Sequence, residues 1–319
     1  MLYLYLFGQL SVANVAGAAA TELAGRPGSL LAFLALERGR FFARSELLSA
    51  LWPEQSEGSV RSLNTVLWRL RKALARPPLV QRDLVVCDRR GAIGLPKDAQ
   101  LQLDVDEFSR LVAPALARPL EQLAPEHVEQ LRRGVALYRD DVLAGFSDDW
   151  ALRARELHRR TLLNALGRLM QLCTLAQDYA GAIGYAQSIL DRDALREDVH
   201  RELMRLFLLN GQRAMALQQF ETCRAALRKE LAIEPMRETL AVYQRIADSA
   251  VGRTAEPVVA PVDWPAPPAW LAVPHEHVFA SPEGQLTLRE LVGRAHWYAA
   301  QADARLHAVA EEPCARPPS

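Results

Sequence analysis

Residues 60–74 read VRSLNTVLWRLRKAL. Val60, Leu63, Leu67, Leu70 and Leu74 recur at spacings of three and four, so at 100° per residue they form one apolar stripe on an α-helix. The opposite face carries Arg61, Thr65, Trp68, Arg69 and Lys72, with Asn64 and Arg71 on one flank and Ser62 on the other. Such a helix has a core side and a cationic, hydrogen-bonding outer side.

Upstream lies RSELLSALWP (44–53). Here the Ser45 hydroxyl is expected to cap a second helix, Glu46 suits its positive dipole end, and Pro53 forbids continuation. Earlier still, SLLAFLALERG reads as a short buried helix from Ser29 to Gly39. The chain opens with Leu2, Leu4 and Leu6 alternating against Tyr3, Tyr5 and Phe7, a strand that breaks at Gly8 and is followed by another at Leu10–Val12. Downstream of Pro77-Pro78 the segments VQR, DLVVCD and AIGL are strand-like, and Arg89-Arg90-Gly91 joins the last two as a hairpin with a basic tip. Three helices followed by a hairpin outline a winged helix-turn-helix over residues 1–100.

From about Asp104 the pattern is helical: VDEFSRLVAPALA, then PEHVEQLRRGVALY, then a long run from Asp148 to Gln177. An offset of 34 residues places Ala182 over Ala216, Ala186 over Phe220, Ile189 over Cys223, Leu172 over Leu206 and Leu175 over Leu209. That is the period of tetratricopeptide repeats, helix pairs that bury their faces by stacking. The expected fold class is mainly α: an α+β winged helix-turn-helix, then an all-α tetratricopeptide-like domain over 101–253. Seven of the nineteen prolines fall between 254 and 282, which reads as a linker over 254–287. An amphipathic helix and a disordered end are expected over 288–319.

The 319 residues hold 38 basic and 38 acidic side chains, a balance that hides an asymmetry. Residues 1–100 carry 13 basic and 8 acidic groups, 101–253 carry 21 and 22, and 254–319 carry 4 and 8. The basic surplus sits on the winged helix, where a nucleic-acid partner needs it. No run approaches the ~20 apolar residues of a membrane helix, and the start lacks the basic region of a signal peptide. A cytoplasmic protein is expected, at the nucleoid when bound to DNA. The four cysteines show no C-x-x-C pair. Phosphate-loop, G-x-S-x-G and H-E-x-x-H motifs are missing too, so no catalytic residue, cofactor or metal is assigned. His275, His277 and His296 with Glu276 lack a supporting cluster, and Asp140-Asp141 and Asp148-Asp149 fit helix boundaries.

RSELLSALWP (44–53), RSLNTVLWRLRKAL (61–74), LDVDEF (103–108) and LRKELAIEP (227–235) together resemble the SARP-type bacterial transcriptional activators, which join an OmpR/PhoB-type winged helix to a bacterial transcriptional activator domain. The resemblance spans roughly residues 1–250. It implies a recognition helix at Val60–Leu74, a wing at about Val85–Leu95, a helical domain for dimerisation, regulation or activation, and contact with RNA polymerase at Pro53–Gly58, where Glu54 and Glu57 suit a basic patch. Two departures stand out: the usual Pro-Gly-Tyr of the wing is Arg89-Arg90-Gly91-Ala92, and Trp68 replaces a smaller outward residue.

Base edges specify while phosphates position. On that division Arg61, Asn64, Thr65 and Trp68 are expected to face bases or sugar, Arg69, Arg71 and Lys72 to meet phosphates, and Arg89 or Arg90 to enter the minor groove. Simple solvation of the arginines, and packing of Trp68 on the first helix or a neighbouring domain, stand beside that assignment. A single winged helix binds weakly, so a homodimer on a paired site is expected. The competing class is a non-enzymatic adaptor, with a protein partner on the repeats and the winged helix as a protein contact.

Overall fold

The computed structural model describes residues 1–15, 20–52, 59–81 and 83–248, with Ser59 and Val60 described as backbone only. The loop with Glu54 and Glu57, the proline-rich linker and the tail helix lie outside the described residues. The chain divides into two compact units: Met1–Pro114 with Glu129–Ala165, and Ala115–Val128 with the residues from Leu166 on.

In chain order the first unit contains β1 (Leu2–Tyr5), β2 (Ser11–Ala13), β3 (Thr21–Glu22), α1 (Gly25–Leu36), β4 (Phe41–Phe42), α2 (Arg44–Leu51), α3 (Ser59–Ala75), β5 (Val86–Cys87), β6 (Ile93–Gly94) and β7 (Leu101–Leu103). Next come α4 (Asp104–Leu116), α5 (Pro125–Leu137) and α6 (Asp149–Leu175), which contribute residues to both units. The opening alternation forms as read: Leu2 and Leu4 are buried, and Tyr3 and Tyr5 are half-buried. β1 pairs antiparallel with β2, Leu4 opposite Val12, and parallel with β7, Leu2 opposite Leu101, in a sheet ordered β3-β2-β1-β7. β7 is an addition to the expected pattern. Its three residues immediately precede α4 and are too few to show a period of their own.

Asp104 fastens that junction. Its carboxylate accepts the Leu6 backbone N–H at 2.8 Å, that of Phe7 at 3.0 Å and that of Val105 at 2.9 Å. One turn on, Phe108 is fully buried and meets Phe7 edge-on at 5.5 Å, and Tyr138 lies 4.6 Å from Phe7. The LDVDEF motif therefore supplies both a polar clamp on the first strand and the centre of an aromatic core.

Local boundaries differ from expectation where polar residues do other work. α1 begins at Gly25, not Ser29, because Pro27 is compatible with a first helical turn. The Ser29 hydroxyl donates to Asp148 at 3.0 Å. α2 begins one residue before Ser45, and its N-cap is Ala43, which has no side-chain oxygen. The reciprocal half of a capping box is present, since Glu46 accepts the Ala43 N–H at 2.7 Å. Val80 and Gln81 form no strand: Val80 adopts φ 50°, and the Gln81 N–H closes α3 by bonding Leu74 O at 2.7 Å; Arg82 lies outside the described residues.

The second unit contains α7 (Tyr179–Leu190), α8 (Glu197–Leu209), α9 (Arg213–Leu231) and α10 (Arg237–Asp248). Four of the five matched positions are buried in both copies: Leu172 and Leu206, Ala182 and Ala216, Ala186 and Phe220, Ile189 and Cys223. Leu209 of the fifth pair is exposed. The repeat extends to the turns. Gln177 donates to Thr174 O and Asp178 to Cys173 O; 34 residues later, Gly211 donates to Leu208 O and Gln212 to Phe207 O. Both are Schellman closures with a left-handed residue, φ 60° at Gln177 and 72° at Gly211.

Only glycine holds that conformation without cost. Gln177→Gly is therefore expected to raise stability by about 0.5–1 kcal/mol in urea unfolding, the relief of the left-handed side chain exceeding the added chain entropy. A loss of stability would contradict it. The LRKELAIEP motif closes the second repeat in another way. α9 ends on Ala232 at φ 56°, and Glu234 folds back to accept from Arg228 at 2.6 Å, a bond that holds its carboxyl below the usual range. Beyond the turn, Glu197 accepts the Met236 N–H at 2.6 Å and Tyr243 stacks on Phe220 at 4.2 Å. Among the described residues no helix is long and apolar enough to cross a membrane.

Candidate nucleic-acid interface

α3 packs against α1 and α2. Its inward side chains Leu63, Leu67, Leu70 and Leu74 are buried as the stripe requires, joined by Val66. With that face occupied, Arg61, Asn64, Thr65, Trp68, Arg69, Arg71 and Lys72 are all exposed. α2 buries Leu47 and Leu51, and Trp52 at its C-terminal end is buried too, with the Arg26 guanidinium 5.5 Å from its ring.

The outer face has internal order. The Thr65 hydroxyl donates to Arg61 O at 2.9 Å, which leaves its oxygen outward as an acceptor. Trp68 is 58% exposed, and the Lys72 ammonium sits 4.5 Å from its ring centroid. Arg71 bridges, donating to Val85 O at 3.2 Å and approaching Cys87 Sγ at 3.6 Å, and so ties α3 to the wing.

The wing is the antiparallel pair β5–β6, with Val86 opposite Gly94, extended by β4 on the other side of β6. Its tip is wound around one carboxylate: Asp88 accepts the N–H groups of Arg90 and Ala92, both at 2.8 Å, and its carbonyl accepts that of Gly91 at 3.0 Å. Gly91 at φ 81° makes the turn possible. Both arginine side chains are left exposed. Arg44 pins this loop to α2 by donating to Gly91 O at 3.0 Å. No sequence signal foretells that contact, because its partners lie 47 residues apart.

Among the arginines ahead of α3, Arg26 pairs with Asp148, Arg38 with Asp106 and Arg40 with Glu37 and Glu46. The cations of α3 and the wing tip make no ion pair with a described carboxylate. What stands on this side of the unit is a rigid helix face and a loop that together present six guanidinium or ammonium groups, an amide, a hydroxyl and an indole.

Residues 18–87 match the family description "Transcriptional regulatory protein, C terminal", and residues 103–247 match "Bacterial transcriptional activator domain". The pair, in this order, covers more than half of the chain. The chain belongs to the SARP family of transcriptional regulators. Its SARP relatives include the regulatory protein AfsR of Streptomyces coelicolor, 27% identical over 75% of this chain and 24% of AfsR. The transcriptional regulator RedD of the same organism is 28% identical over 73% of this chain and 69% of its own length. MoaR1 of Mycobacterium tuberculosis is 24% identical over 70% of this chain and 74% of its own. The chain thus spans about a quarter of AfsR. The solved structure of Mycobacterium tuberculosis EmbR in complex with a low-affinity phosphopeptide shares the fold, with a TM-score of 0.58 at 19% identity over 78% of this chain and 65% of EmbR. SARP proteins are a family of transcriptional regulators, not of enzymes.

Proposed function

We propose that this SARP-type protein is a sequence-specific DNA-binding regulator that activates transcription from promoters bound by its winged helix, residues 1–100. The observation that carries the reading is the outer face of α3. Arg61, Thr65, Trp68, Arg69 and Lys72 are exposed on the face opposite the core, with Asn64 and Arg71 exposed on one flank. Such a face mixes groups suited to base edges with cations suited to phosphates. The Arg89-Arg90 tip, braced by Asp88, suits an adjacent minor groove.

Two such modules are needed for tight binding, so the protein works as a homodimer on a paired site, with residues 101–253 mediating assembly and regulation. The repeats keep Leu208, Leu209 and Met215 exposed, apolar surface of the kind a regulatory protein partner covers. RNA polymerase is contacted through the loop that carries Glu54 and Glu57.

The test is a titration of the full-length protein against sites selected from random duplexes. Selected duplexes should bind at least about a thousandfold tighter than random ones, and affinity should fall linearly in log–log form as salt rises. Salt-insensitive binding, or no preference among duplexes, would leave the adaptor class as the function.

A further inference from the structure

The geometry points to Trp68 as a thymine-specific contact: its indole meets the C5-methyl group of one thymine in the major groove, held there by Lys72. This rests on the DNA-binding reading above and names what one position of that interface recognises.

Trp68 is the largest exposed apolar group of the described winged helix. It stands in the line of the polar reading residues: Arg61, Thr65 and Trp68 are four and three residues apart, so they share one face. Each of the others has a polar match on a base edge: a guanidinium for guanine, an amide for adenine, a hydroxyl for either. The indole is chiefly a hydrocarbon surface, and among the four bases only thymine offers an apolar group in the major groove. Its methyl is the complement the ring can find there.

Reach argues the same way. Trp68 lies seven residues beyond Arg61, about 10 Å along the helix axis. A straight helix laid in a groove that curves away cannot keep every position equally near the base pairs, so a position further along needs a longer side chain. Tryptophan in place of a smaller residue supplies that length. Lys72, one turn on, holds its ammonium 4.5 Å from the ring centroid. The cation attracts the electron-rich face and restricts the ring, so one face is covered and the rim is presented outward. Orientation before binding is what a contact as small as one methyl requires.

Uracil is thymine without the methyl, which isolates the proposed contact. Sites are first selected from random duplexes with the full-length protein. Each thymine of the best site is then replaced singly by deoxyuridine, and binding is measured for wild type, Trp68→Ala and Trp68→Phe, all checked for an unchanged circular dichroism spectrum. At one thymine per half-site, wild type should lose about fourfold in affinity on removal of a single carbon. Trp68→Phe should keep a reduced loss there, and Trp68→Ala should be indifferent to the substitution.

Uniform tolerance of deoxyuridine by wild type would overturn the proposal while leaving sequence-specific DNA binding intact. So would an undiminished methyl effect in Trp68→Ala. No selected site at all would instead overturn the DNA-binding reading.

Discussion

Replacing Asp104 with alanine is expected to cost about 2–4 kcal/mol of stability at neutral pH, read as a shift in the urea midpoint of the full-length protein. The carboxylate receives three backbone N–H groups, those of Leu6 and Phe7 from the first strand and that of Val105 from α4. Removing it strands part-buried donors, and an unsatisfied donor costs about 1–3 kcal/mol. Asparagine supplies one acceptor oxygen but turns an NH2 toward the remaining donors, so Asp104→Asn should fall between alanine and wild type. A loss below about 1 kcal/mol for alanine would show that water or backbone movement satisfies those groups.

The same side chain has a pH signature. Burial pushes the Asp104 carboxyl above its ordinary value, outweighing the hydrogen bonds from Leu6 and Phe7 that pull it down. A folded pKa above the unfolded one means that the native state holds the proton more tightly. That proton-linked stabilisation, separate from the hydrogen bonds counted at neutral pH, is complete below the unfolded value and is lost as pH rises through the folded value. Wild type should therefore gain on Asp104→Asn as pH falls through that window. Asp198, held below its usual value by the hydrogen bond from Arg196, acts oppositely: its stabilisation is present above the unfolded value and lost as pH falls through the lowered one. Because both variants retain Asp198, the difference between them isolates Asp104.

The sequence disclosed α3 and the repeats because each writes a long period. Five apolar positions at spacings of three and four leave one orientation for the helix, and the outward set, including Trp68, follows from it. A 34-residue offset leaves its mark in the buried positions and, less visibly, in the paired turns of Gln177 and Gly211. What stayed hidden is made by residues far apart in sequence. β7 joins β1 across about a hundred residues, Arg44 reaches Gly91, and Arg71 reaches Val85. Ser45 misled for a related reason: a serine before a helix resembles a cap, yet the chain had entered the helix one residue earlier and Glu46 took up the free N–H.

Arg71 therefore has a structural duty that composition cannot show, and this shapes the second large effect expected. Arg61→Ala and Asn64→Ala should each cost about 1–3 kcal/mol on the best site, roughly five- to 150-fold, and much less on random duplex. Both lie early in the helix, where base edges are closest, and neither braces another element among the described residues. Discrimination should collapse at one or two base pairs for each variant. Lys72→Ala should weaken best-site and random duplexes and lower the salt slope by about one, as loss of a phosphate contact does, and should in addition diminish the thymine preference at the position met by Trp68, whose ring it no longer restrains. Arg71→Ala should do that and also loosen the wing, since it releases Val85 and Cys87. Its signature is an added loss for sites whose wing-side flank is A/T-rich, because the Arg89-Arg90 tip then loses its register on the narrow groove. Binding by gel shift or anisotropy on matched duplex pairs separates the two patterns. Equal losses on best-site and random duplexes for Arg61→Ala and Asn64→Ala would remove these two residues from base recognition. The reading surface would then have to be sought on the wing.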